Sequence, residues 1–182
     1  ELDRAVERVL QAKLRAGLFR QPVRDAVKTD RAKHRALARR IAGESMVLLK
    51  NEQGLLPLPK KGRVALTGCM AQNRESLMGA WTPDGDADSV ITLEEGIRAV
   101  APELELFTES SPLFGDMTAV MEQADTVILA LGESARASGE FHCLADISLP
   151  EDQAALALRA RRLGKKVVGL LCFGRPIALG DT

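Results

Sequence analysis

The chain has no tyrosine, one tryptophan and five phenylalanines. That is too few flat side chains for an extended stacking surface of its own. It has three cysteines, Cys69, Cys143 and Cys172, an odd number whose spacings match no zinc pattern. With only two histidines, His34 and His142, a metal site has few ligands to draw on, and none is expected. Lys plus Arg and Asp plus Glu both number 25, so the basic excess of a nucleic-acid surface is missing. No apolar run reaches the roughly 18 residues of a membrane span. The strand–glycine turns at Gly68 and Gly132 lack G-x-G-x-x-G spacing, so no dinucleotide cofactor is expected.

What is present suits a packed α/β domain. Apolar residues make up 46% of 182, ample for one core. Residues 1–17 place Leu2, Val6, Val9, Leu10 and Leu14 on one helical face, with Gly17 as a stop. Residues 18–29 contain Pro22 and read as a linker. Asp30 is positioned to cap a second helix that runs toward MVLL at 46–49. His34 in that helix reads as an ordinary exposed histidine.

From Arg63 the pattern alternates. Strands are expected at Arg63–Thr67, Leu104–Phe107, Thr126–Leu131 and Val167–Cys172. Helices are expected at Arg74–Met78, Thr92–Val100, Gly115–Gln123 and from Pro150, taken as the first helical residue, to about Gly164. Short, continuously apolar strands separated by helices indicate a mostly parallel sheet covered on both faces. The chain starts inside a helical pattern without Met and stops where another helix and strand would follow. The expectation is an internal piece of a longer protein, in which a missing leader says nothing about compartment. Free thiols fit the cytoplasm and do not exclude the periplasm.

The segment 126–149, TVILALGESARASGEFHCLADISL, concentrates the chemistry. It leaves a buried strand at Gly132 and carries Glu133, Ser138, Glu140, His142 and Asp146. The carboxyl ends of strands are where open α/β sheets place their sites. His142 and Cys143 are adjacent in a loop, which rarely opposes two side chains as a nucleophilic pair needs. Asp84, Asp86 and Asp88 lack the later glutamate of a calcium loop.

Five blocks, in order, resemble glycoside hydrolase family 3, the β-glucosidases and β-xylosidases of bacterial periplasmic type. They are AVERVLQAKLRAGLF (5–19), HRALARRIAGESMVLLKNEQGLLPL (34–58), RVALTGCMAQNRESLMGAW (63–81), the G-E…G-E…D-I-x-L-P-x-x-Q pattern within 130–153, and the strand ending in G-R-P-I-A-L (167–179). The resemblance implies a flavodoxin-like α/β sandwich over residues 30–182, truncated at its C-terminal end. Residues 1–29 would then be the last helix of an absent (β/α)8 barrel, plus a linker.

The resemblance further implies a retaining exo-β-glycosidase of β-glucosidase type, acting on terminal β-linked glucosyl residues of a β-glucoside or oligosaccharide. Such enzymes use two carboxyl groups across the scissile bond. Glu140 matches the family's general acid/base; the nucleophile would lie in the barrel, so this chain alone is expected to be inactive. Trp81 is a candidate substrate wall, with a core anchor as the equal alternative. With so few aromatics the sugar site is expected to be shared with the barrel. Glu133 and Asp146 are expected to support the loop. The family's Ser-Arg-x-Asp is Cys143-Leu144-Ala145-Asp146 here, so an arginine is lost. A periplasmic or secreted location is implied by the resemblance alone. The competing class is a non-catalytic α/β scaffold or interaction module. No membrane or nucleic-acid partner is expected in either reading.

Overall fold

The computed structural model describes residues 1–20, 28–109 and 114–180. The core of the expected linker, 21–27, lies outside them. The chain divides into two compact units, Glu1–Lys50 and Asn51–Thr182.

The first unit holds two helices. Helix α1 spans Leu2–Arg15, with Asp3 in its first turn and Lys13 and Arg15 in its last, charges that complement the helix dipole. Gly17, at φ 73, adopts the left-handed conformation. Its N–H donates to Leu14 O at 3.0 Å and that of Leu18 to Lys13 O at 3.1 Å, so the helix ends in a Schellman motif. Helix α2 spans Arg31–Ser45; Asp30 caps it by accepting from the Lys33 N–H at 3.0 Å. The expected continuation through MVLL does not occur: residues 46–50 leave the helix. Four consecutive apolar residues satisfy neither a helical nor a strand period. Neither helix has a buried residue.

The second unit is a four-stranded sheet: β1 (Lys61–Thr67), β2 (Glu103–Glu109), β3 (Thr126–Gly132) and β4 (Lys166–Cys172). The order is β2-β1-β3-β4 and every pairing is parallel. All seven residues of β3 are buried, as both-face coverage requires. Their side chains alternate. Val127, Leu129 and Leu131 join Met121, Leu156 and Ala160 in one core, supplied by α5 (Phe114–Glu122) and α6 (Glu151–Arg162). Ile128 and Ala130 face the other core with Leu66, Met70, Leu93 and Ile97, supplied by α3 (Arg74–Met78) and α4 (Leu93–Val100). Helix α6 begins one residue later than expected, with Pro150 as its N-cap. Among the described residues no helix is long and apolar enough to cross a membrane.

Helix α4 opens with a capping box. The Thr92 side chain accepts from the Glu95 N–H at 3.2 Å, and Glu95 Oε2 accepts from the Thr92 N–H at 2.8 Å. These bonds satisfy two donors that a helix start leaves open. The backbone bond from Thr92 is the main reason the Glu95 carboxyl titrates below its ordinary value. A depressed folded-state pKa adds stability at neutral pH that is lost as pH falls through the folded value. Thr92→Ala is expected to cost about 1 kcal/mol in urea unfolding. The Thr92 N–H still donates to Glu95 in this variant, so the loss should be nearly the same at neutral and acid pH.

Candidate functional site

In the order β2-β1-β3-β4 the chain leaves β1 and β3 in opposite lateral directions, which opens a crevice at their carboxyl ends. Two glycines shape it. Gly68, just after β1, has φ 110, and a side chain there would sit 2.5 Å from Ala130 O. The chain can therefore turn back over β3, where the Met70 N–H donates to Ala130 O at 3.1 Å. Gly132 ends β3; a Cβ there would lie 2.4 Å from Met70 Cγ and 2.6 Å from Cys172 O. No other residue fits without moving backbone.

Two polar side chains secure this strand end. Gln153, buried near the start of α6, accepts from the Gly132 N–H at 2.9 Å and donates to Gly132 O at 2.6 Å. It acts as a substitute strand edge for one residue. Glu133 takes a two-pronged grip from Arg175: Nε donates to Oε2 at 2.9 Å and Nη2 to Oε1. The two side chains are only 10% and 13% exposed, so both carboxylate oxygens are committed to the guanidinium. Sequence reasoning quoted Gln153 and Arg175 inside motifs without giving either a task. A polar residue held inside an apolar block, as in L-P-x-x-Q and G-R-P-I-A-L, was the available signal.

The loop between β3 and α6 is anchored at both ends and free at its tip. At its root the Asp146 carboxylate accepts from the Ser148 N–H at 2.8 Å, and that bond chiefly holds its pKa below the usual aspartate value. Leu149 N–H donates to Ala178 O at 3.0 Å and Ala178 N–H to Ile147 O at 2.8 Å. The segment after β4 thus zips onto the loop as a one-residue parallel bridge. Midway, Ser138 lies against Gly174; a Cβ on Gly174 would be 2.4 Å from the Ser138 Oγ.

Glu140 sits at the tip. It is exposed, and its side chain meets no hydrogen-bond partner among the described residues. The His142 N–H donates to Gly139 O at 3.2 Å, which places Glu140 and Phe141 at the centre of one tight turn. Beneath the tip, a cleft of about 250 Å³ is lined by residues including Met70, Ala80, Glu133, Ser138 and Phe173. Ala80 precedes Trp81, which is 71% exposed and so contributes to no core of this unit. The structure therefore brings Trp81 and Glu140 onto adjoining loops, with Glu133 and Asp146 lower down. His34 is exposed on α2, far along the chain in the other unit.

Among the described residues, no group of three or more His, Cys, Asp or Glu side chains is arranged to hold a metal ion. Burial pushes the thiols of Cys69 and Cys172 up, and Cys69 donates to Gly132 O at 3.4 Å. A raised thiol carries little thiolate at neutral pH, which argues against a nucleophilic role for either, although Cys69 is exposed and Cys172 half-buried.

Comparison with known proteins agrees with this architecture. The family profile described as the glycosyl hydrolase family 3 C-terminal domain matches residues 46–182. A periplasmic β-glucosidase of Salmonella typhimurium is 31% identical, over 98% of this chain and 28% of its own length. A β-xylosidase of Formosa agariphila is 27% identical, over 98% of this chain and 27% of its own. A β-glucosidase from Listeria innocua, solved in complex with glucose, superposes with a TM-score of 0.85 at 38% identity. That match covers 97% of this chain and 25% of the other. The chain spans about a quarter of the length of these relatives. A parallel sheet in the order β2-β1-β3-β4, the motif residues that secure its carboxyl edge and the matched profile converge: the chain belongs to glycoside hydrolase family 3 and carries that family's C-terminal domain.

Proposed function

We propose that these residues supply the general acid/base of a retaining exo-β-glycosidase that releases terminal β-linked glucosyl residues. The nucleophile comes from a barrel outside this chain. In this reading α1 is the last helix of that barrel and residues 30–182 form the second domain. The compartment is periplasmic or secreted, like that of the Salmonella relative. The observation that carries the reading is the contrast between two carboxylates at one strand end. Both oxygens of Glu133 are bonded to Arg175, whereas Glu140 stands unpaired among the described residues on a loop fixed at its root. A proton donor must reach the leaving oxygen, and of these two carboxylates only Glu140 has a side chain free to do so.

The chemistry needs two steps. A barrel carboxylate attacks the anomeric carbon while Glu140 protonates the departing oxygen. Glu140, now ionised, takes a proton from water, which attacks the anomeric carbon and frees the sugar. The donor must hold its proton near neutral pH. Trp81 borders the site as a wall for a pyranose ring.

The 182 residues alone are expected to give no turnover of an aryl β-glucoside above the buffer rate, because the attacking carboxylate is absent. Turnover by the purified chain would place the nucleophile within it. The direct test of the acid/base is Glu140→Ala in the full-length protein. Wild-type activity on natural disaccharides would remove the assignment and favour the interaction module, which the apolar Leu144 in place of the family arginine also suits.

A further inference from the structure

Phe141 is 99% exposed and adopts φ 63. It is the only non-glycine residue at positive φ among those described, and bulky side chains rarely take that conformation. Two penalties fall on one residue: an apolar ring left in water and a strained backbone. Neither serves the packing of this unit. Strain of this kind persists where function maintains it.

The position is defined by its neighbours. Gly139, at φ 122, brings the turn so close to the preceding loop that a Cβ on it would meet Ala80 Cβ at 3.2 Å. Trp81 follows Ala80. Two of the chain's six aromatic side chains, five Phe and one Trp, are thus exposed on adjoining turns with Glu140 beside them. Two further apolar side chains of the loop, Leu144, where the family pattern has arginine, and Ile147 at its root, are each 50% exposed.

We propose that Phe141 is a specificity-determining residue that contacts the leaving group and favours substrates whose departing alcohol carries an aromatic ring. The proposal rests on Glu140 being the acid. An acid within hydrogen-bond reach of the glycosidic oxygen lies on the leaving-group side of the bond, opposite the nucleophile. The next residue on the same turn has its Cα about 3.8 Å away. Its ring therefore borders the atoms attached to that oxygen, not the glucosyl ring. Aromatic rings stack offset or edge to face, and Trp81 supplies a second wall.

The test uses the full-length protein with benzyl and methyl β-glucosides, whose leaving alcohols have nearly equal acidity and differ by the ring. Phe141→Gly accepts the left-handed backbone without strain, so it removes the ring and keeps the turn. The ratio of kcat/KM for benzyl over methyl is expected to fall about tenfold, the size of one lost aromatic contact, and to be retained in Phe141→Trp. An unchanged ratio in Phe141→Gly overturns the proposal, whether both rates fall together, as a merely structural ring would cause, or neither does. Glu140→Ala is run in parallel with added azide. Rescue there with an unchanged ratio defeats the Phe141 assignment alone. No rescue defeats the acid assignment and this one with it.

Discussion

Glu140→Ala in the full-length protein is expected to lower kcat/KM about 10³-fold for cellobiose-like substrates, the middle of the range for one general acid or base. The fall should be much smaller for aryl glucosides with acidic phenols, because such leaving groups depart without a proton. Their turnover should then stall at the second step, for want of a base to activate water, and glycosyl-enzyme should accumulate. Azide is already anionic and needs no base. Added azide should restore kcat for the aryl glucoside and yield the β-glucosyl azide, identifiable by NMR. Equal losses on both substrate types with no azide effect would mean that Glu140 holds the loop rather than moves a proton.

The second large effect concerns the pair beneath the loop. Arg175→Met keeps much of the side-chain volume and removes the charge, leaving the Glu133 carboxylate, 10% exposed, without its partner. Stranding one member of a buried pair costs roughly 3 kcal/mol, read from urea unfolding of the 182-residue chain. The double variant Glu133→Gln/Arg175→Met is expected to recover about 1–2 kcal/mol of that, because a neutral amide carries a smaller desolvation penalty. A loss below about 0.5 kcal/mol in the single variant would show that water screens the pair as it screens surface pairs. In the full-length protein Arg175→Met should also lower activity, since the grip on Glu133 fixes the direction in which the chain leaves β3.

Much of this was readable from residue order. The strands were legible because β3 and its neighbours are short apolar runs between glycines and helices, and both faces of the sheet are covered. The α4 helix was legible to within one residue: it was expected from Thr92, which instead caps a helix that begins at Leu93. Three features were not. The end of α2 was obscured because MVLL has no period to read. The Glu133–Arg175 grip joins side chains 42 positions apart, and no local pattern encodes which carboxylate an arginine will meet. The turn at Phe141 was hidden because a positive φ is normally signalled by glycine or asparagine, and here a phenylalanine adopts it. The five ordered blocks pointed to the family before any coordinate did, but they gave no sign that both oxygens of Glu133 are bonded to Arg175. That observation, on which the proposed choice of Glu140 rests, needed the geometry.

The bridge between Ser148 and Ala178 sets an order of events during synthesis. A ribosome delivers Glu140 well before it delivers Ala178, and the intervening chain must first form α6 and β4. Until then the Glu140-bearing loop is held by β3 at one end and by Leu149 and α6 at the other, without the bridge at its root. The bonds that Ala178 makes with Ile147 and Leu149 can form only after β4 has been made. Final placement of the loop root is therefore a step that follows the collapse of the core.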